Sequence, residues 1–284
     1  MLQDLISAIN NPQILNKYYN KYYNAEFDIF AKYSPAYPTT NEPIRKILQQ
    51  INPNGKSVLT VIGGDAPLFF NAFGAKKIDS FDISAFAHIS YIIKYYMATK
   101  AKIQYTQYYE YLIELSDTEC IPTTTPAYTQ TEPILPPELK TFINYAQCKK
   151  YKIIRYTPHT TIQNYTLNKE EYEQIHEIEK QKLILSNITD LPTNLDDTYD
   201  IIYLSNIIHY IYSDCLTNTI SNLSKHLTQD GVIILDSLPN YYDYSLKELK
   251  KLIPNDFNFH HLEQIENRTG YKTELCRILT KKSR

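Results

Sequence analysis

SVLTVIGGDAPLFFNAFGAKKIDSFDIS, residues 57–84, is the stretch from which the fold can be read. Its opening, 57–62, is mostly apolar and β-branched, as expected of a short strand covered on both faces. Gly63-Gly64-Asp65 breaks the strand, and a short helix is expected from about 67 to 73, closed by Gly74. Residues 77–81 read as a second strand ending at Asp82, and Ser84 is a natural N-cap for a helix reaching about Thr99.

The same alternation returns further along the chain. Strands are expected at 183–186, 200–204 and 231–235, helices at 215–227 and 244–252, and a closing antiparallel pair at 257–263 and 272–280. Strands alternating with helices predict an α/β fold: a doubly wound, mostly parallel, Rossmann-like seven-stranded sheet with an antiparallel C-terminal strand. Ahead of it, 1–50 reads as helical, with Leu5, Ile6, Ile9 and Ile14 at helix-like spacing. The prolines of 34–38 interrupt this, and 41–50 resumes as a helix with Pro43 in its first turn. Residues 1–56 are therefore expected to form a helical N-terminal cap, and 57–284 an α/β core with an insertion at about 101–182. Inside the insertion, 118–137 holds five prolines and a threonine run, which predicts a loop or lid. Segments 138–145 and 169–182 read as helices, with a short extended piece at 152–156.

Composition narrows the function classes. A formal charge of −2 gives no general electrostatic reason to expect nucleic acid or an anionic membrane. The four cysteines, Cys120, Cys148, Cys215 and Cys276, form no CxxC pair, and buried reduced thiols are expected. The start of the chain has no basic-then-apolar leader, and no apolar run is long enough to span a membrane, so a cytoplasmic protein is expected. The histidines are scattered without metal-ligand spacing, and no metal site is expected.

The chain has only six glycines, and two of them, Gly63 and Gly64, end the first core strand. A residue without Cβ there lets the backbone approach a ligand, and the following helix presents free N–H groups. Asp82, at the end of the next strand, is placed to accept hydrogen bonds from both hydroxyls of a ribose. The plainer alternative is an ordinary β-turn-α connection with a helix-capping aspartate. The turn lacks G-x-G-x-x-G, and Pro67 crowds the position of a pyrophosphate, so one nucleoside with a short arm suits it better than a dinucleotide.

These features resemble the first two motifs of class I S-adenosylmethionine-dependent methyltransferase-fold proteins. YDIIYLSNIIHYI (199–211), preceded by 187–192, is similar to one subgroup. That subgroup comprises the S-adenosylmethionine:diacylglycerol 3-amino-3-carboxypropyl transferases of betaine-lipid synthesis and their bacterial relatives. The resemblance covers about 57–115 and 165–237. It implies S-adenosylmethionine as cofactor, with Gly63 and Gly64 against the methionine arm and Asp65 facing the ammonium group. It further implies that Asp82 holds the ribose and Ile83 lies on the adenine. Asp190 would receive the adenine amino group, and Leu191 or Ile188 would pack on the ring. Ser205 and Asn206 would face the reacting centre. The acceptor would be a small or lipid-like molecule.

His209 and Tyr210 follow on the same loop. A histidine there can serve as a general base or simply pack after a strand, and Tyr18, Tyr19, Tyr22, Tyr23, Tyr33 and Tyr37 are available for a lid. No D/N-P-P-Y/F sequence follows the fourth strand, which argues against amino-methylation of nucleic acid. A non-catalytic S-adenosylmethionine-binding sensor or partner subunit and a nicotinamide-dependent oxidoreductase remain as alternatives. The oligomeric state is not legible.

Overall fold

The computed structural model describes residues 35–40, 42–179, 181–205, 207, 213–235, 251–261 and 277–281. Seven strands form one sheet: β1 (Ser57–Val61), β2 (Lys77–Asp82), β3 (Leu183–Leu185), β4 (Tyr199–Tyr203), β5 (Leu227–Leu235), β6 (Phe257–His261) and β7 (Arg277–Lys281). Their order is β3-β2-β1-β4-β5-β7-β6. Strands β1 to β5 run parallel, and β7 slots antiparallel between β5 and β6. This is the expected Rossmann-like arrangement with its antiparallel C-terminal strand.

Every residue of β1 is buried, which fits the near-continuous apolar run read from the sequence. The register pairs Val61 with Phe81 on one side and Thr60 with Tyr203 on the other. From β1 the chain winds outward to β2 and β3, then returns to place β4 on the opposite side of β1. The carboxyl ends of β1 and β4 therefore flank the point where the winding reverses, the position at which doubly wound sheets carry their crevice.

Around the sheet run α1 (Ile44–Ile51), α2 (Ala66–Ala72), α3 (Ala85–Thr99) and α9 (Ser213–Ser224). Ile44, Ile47 and Leu48 of α1 are fully buried. Ser84 caps α3 as expected, its hydroxyl accepting from the Ala87 N–H at 3.3 Å. The expected helix at 1–34, most of that at 244–252, and residues 262–276 lie outside the described residues.

The insertion is helical: α4 (Tyr105–Thr118), α5 (Pro126–Thr131), α6 (Pro137–Cys148), α7 (His159–Tyr165) and α8 (Lys169–Glu173). Two expectations fail here. Segment 118–137 is not an open loop, because its prolines start helices rather than break them. Pro126 and Pro137 each occupy a first turn, where no N–H is needed, and Thr125 caps α5 by accepting from the Tyr128 N–H. Ala127, Tyr128 and Leu135 are buried beneath the surface. The helix expected over 169–182 stops at Glu173. Beyond it, side chains capture the backbone: Asn71 bonds both the N–H and C=O of His176, and the Ile178 N–H donates to the Tyr95 hydroxyl at 2.8 Å. No described helix is long and apolar enough to cross a membrane.

Candidate functional site

The crevice is built from strand ends. Asp82, the last residue of β2, is half-buried, and its carboxylate accepts the Ser84 N–H at 2.8 Å, while the N–H groups of Gly63 and Ile83 stand close enough to favour its ionised form. Burial outweighs these donors and pushes the carboxyl up to about 6. The backbone C=O of Asp82 accepts from the Ser186 N–H at 3.1 Å, which brings the turn after β3 alongside. The His88 ring lies against the same carbonyl at 3.1 Å, and burial pulls its pKa down to about 4, so it is neutral at physiological pH.

The two glycines differ. Gly63 has φ +42°, and among the described residues a Cβ there would come within 4 Å only of Val61 Cγ1, at 3.6 Å, and Ser205 Oγ, at 4.0 Å. Gly64 has φ +84°, and a Cβ there would lie 2.3 Å from the carbonyl carbon of Thr39 and 2.6 Å from the Thr40 nitrogen. The chain's own backbone covers Gly64.

That covering segment, 35–40 with Glu42, is a strap laid over the carboxyl edge of the sheet. At one end Ala36 forms a bridge with Ile154 of the insertion, and the Arg155 guanidinium sits over the Tyr37 ring and donates to the Pro35 carbonyl. In the middle, Asp65 accepts from the Thr39 hydroxyl at 3.0 Å and the Thr40 N–H at 2.8 Å. Lys94, reaching up from α3, donates to the carbonyls of Pro38 at 2.9 Å and Gly64 at 2.7 Å. At the far end Glu42 accepts hydrogen bonds from the hydroxyls of Tyr203 and Ser205.

Of the residues singled out in the sequence, Gly63, Asp82, Ile83 and Ser205 meet on this edge. Asp65 does not join them: it is fully buried and turned toward the strap. Leu191 is also fully buried in the core, and Ile188 is nearly so. Asp190 is exposed on the turn after β3, and the Asn194 side chain donates both to its carbonyl and to the Ser186 hydroxyl. Asn206, His209 and Tyr210 lie outside the described residues. Glu42, Thr39, Thr40 and Lys94 were not singled out in the sequence. Lys94 carries a signal that was there to be read, a lone cation inside the apolar helix segment ISYIIKYYM.

A cavity of about 900 Å³ opens elsewhere, lined by Thr99, Tyr105, Lys169, Tyr172 and His176. It adjoins the end of α3 farthest from Ser84, roughly 20 Å along the helix from Asp82. Its position separates it from the strand-end crevice. Among the described residues, no group of histidine, cysteine, aspartate and glutamate side chains could hold a metal ion.

No family model and no curated protein matches the sequence. Among solved structures, a protein from Streptococcus mutans assigned as a SAM-dependent methyltransferase matches 84% of this chain at 12% identity and TM-score 0.45; the chain spans 47% of its length. The magnesium protoporphyrin IX methyltransferase of Synechocystis PCC 6803, solved with bound SAM, matches 99% of this chain and 97% of its own at 10% identity and TM-score 0.43. An rRNA methylase from Streptococcus thermophilus matches 84% and 94% at 12% identity and TM-score 0.40. The fold stands on the strand order itself, which is that of a doubly wound, Rossmann-like sheet with one antiparallel C-terminal strand.

Proposed function

We propose that the chain is an S-adenosylmethionine-dependent transferase acting on a small or lipid-like acceptor. The observation that carries this reading is Asp82. It is a carboxylate at the switch-point edge, held by backbone N–H groups beside the open face of Gly63. The groups suit a nucleoside: a carboxylate to accept from the ribose hydroxyls, Ile83 next to it for an apolar ring, and the exposed Asp190 on the turn after β3. S-adenosylmethionine would supply a carbon already attached to a good leaving group, so the protein's task is alignment and exclusion of water. The transferred group is methyl or, following the LSNI strand end, 3-amino-3-carboxypropyl.

The test is the nucleoside released when the protein is incubated with S-adenosylmethionine and cell extract as acceptor source. S-adenosylhomocysteine identifies methyl transfer, and 5′-methylthioadenosine identifies aminocarboxypropyl transfer. Neither product, with binding intact, would mean a non-catalytic binder.

Asp82 also sets a pH dependence. Ribose hydroxyls donate, and the ionised carboxylate accepts from them far more strongly than the protonated acid. With its pKa raised to about 6, affinity for S-adenosylhomocysteine should level off above pH 7 and fall about tenfold by pH 5. In the unliganded protein the sign is opposite. A raised carboxyl contributes stability below the unfolded-state value, and this is lost as pH rises through about 6. Asp82→Ala should remove the pH dependence and weaken binding by roughly 1.5–3 kcal/mol. Calorimetry across pH 5–8 checks both, and an unchanged affinity in a folded variant would move the ribose site elsewhere.

A further inference from the structure

We infer that His88 is a positioning residue for Asp82: its imidazole holds the peptide between Asp82 and Ile83 in the plane that turns the Ile83 N–H toward the Asp82 carboxylate. This rests on the transferase reading above. His88 stands near the start of α3 and is fully buried. Its Nε2 lies 3.1 Å from the Asp82 carbonyl oxygen. A carbonyl only accepts, so the ring proton is on Nε2, and Nδ1 has no hydrogen-bond partner among the described residues. The same carbonyl accepts the Ser186 N–H at 3.1 Å. Two donors thus meet on one oxygen, one from α3 and one from the turn after β3, and together they fix the plane of that peptide.

The plane matters because a trans peptide points its C=O and its N–H in opposite directions. With the Asp82 carbonyl turned toward His88 and Ser186, the Ile83 N–H is turned the other way. It stands close enough to the carboxylate to favour its ionised form, beside the N–H groups of Ser84 and Gly63. Burial outweighs the carbonyls of Asp82 and Ile184, which favour a protonated ring, so His88 orients the peptide without adding a charge. The charged side chains on the flanking elements are engaged elsewhere. Lys94 is committed to the carbonyls of Pro38 and Gly64, Asp65 to Thr39 and Thr40, and Asp190 is exposed on the turn after β3. The carboxylate is therefore governed by burial and by its N–H donors, and His88 stands behind one of them.

The test is a pH profile of binding. The full chain, His88→Met and His88→Gln are titrated calorimetrically with S-adenosylhomocysteine at pH 6 and pH 8. Methionine fills the space without a donor, while glutamine carries an N–H to about the same place as Nε2. Released by His88, the peptide loosens the Ile83 N–H from the carboxylate, and the midpoint of the pH dependence moves up by about 0.5–1 in pH. His88→Met should then bind about two- to fivefold weaker than wild type at pH 6 and within about twofold of it at pH 8. His88→Gln should restore the wild-type profile. A merely structural role would weaken binding equally at both pH values. That result, an unchanged profile in His88→Met, or a glutamine variant that behaves like methionine overturns the assignment. A wild-type affinity that is the same at pH 5 and pH 8 overturns the Asp82 reading itself, which is a different result. Should His88→Met fail to fold, the imidazole nitrogen chemical shifts of the unaltered protein decide. The proton is expected on Nε2 throughout pH 6–8, and a protonated ring, or a proton on Nδ1, in that range overturns the assignment.

Discussion

Lys94→Met is expected to lower the free energy of unfolding by about 3–5 kcal/mol, the usual cost of stripping a buried charge of its partner. Lys94 is fully buried, and its ammonium is held by the carbonyls of Pro38 and Gly64. Burial pulls its pKa down to about 8 against the opposing pull of Asp65. Methionine matches the lysine stem in volume, so little of the loss would come from packing. What remains is Asp65, buried without a cation, and two carbonyls without a donor. The carboxyl of Asp65, already raised by burial, would rise further. A raised carboxyl contributes stability at low pH that disappears as pH climbs, so the deficit of Lys94→Met should shrink on acidification. Adding Asp65→Asn should recover part of the loss, because an asparagine oxygen can still accept the Thr40 N–H while the charge is gone. Urea denaturation of the single and double variants measures all three effects. A single-variant loss below about 1 kcal/mol would mean that water reaches the pair and that the strap is not clamped by charge.

What the sequence made legible follows from the range of the interactions involved. Strands β1 and β2, their helix and the Ser84 cap are determined by neighbours a few residues apart, and the alternation alone placed them. The insertion was misread where local rules give two answers. Proline both ends helices and begins them, and only the capping hydroxyl of Thr125 and the burial of Tyr128 settle which applies. Residues 174–182 failed differently. Their apolar spacing continues a helix, but Asn71 and Tyr95, distant in sequence, take the backbone hydrogen bonds away. The site shows the same division. That Asp82 and Gly63 would lie side by side was readable, because each stands at the end of one of two neighbouring strands. The turn of Asp65 away from the crevice was not, because it depends on Thr39, Thr40 and Lys94 arriving from elsewhere. Glu42 belongs to that group: in the sequence it is only the residue ahead of Pro43 at a helix start, and only the topology sets it against Tyr203 and Ser205.

The two glycines of the turn should therefore respond differently to the same substitution. Gly64→Ala is expected to cost about 2–5 kcal/mol. Roughly 1–2 of this is the left-handed backbone at φ +84°, and about 1–3 is the contact with the strap. The new methyl would meet backbone atoms of Thr39 and Thr40 at 2.3–2.6 Å, and backbone cannot rotate away as a side-chain tip can. Relief requires lifting the strap, which breaks the bonds of Asp65 to Thr39 and Thr40 and of Lys94 to Pro38. Gly63→Ala carries only the conformational cost of φ +42°, about 1–2 kcal/mol, since its nearest neighbours stand at ordinary contact distance. On the transferase reading its effect falls on binding instead, because the methyl is added beside Ser205, where the ligand would lie. Denaturant titration should thus rank Gly64→Ala well below Gly63→Ala in stability. Calorimetry with S-adenosylhomocysteine should find Gly63→Ala folded and binding about tenfold or more weaker, the scale of one misplaced methyl group in a tight site. Equal stability of the two variants would mean that the strap does not rest on Gly64 in solution. The arm would then be free to lie along both glycines.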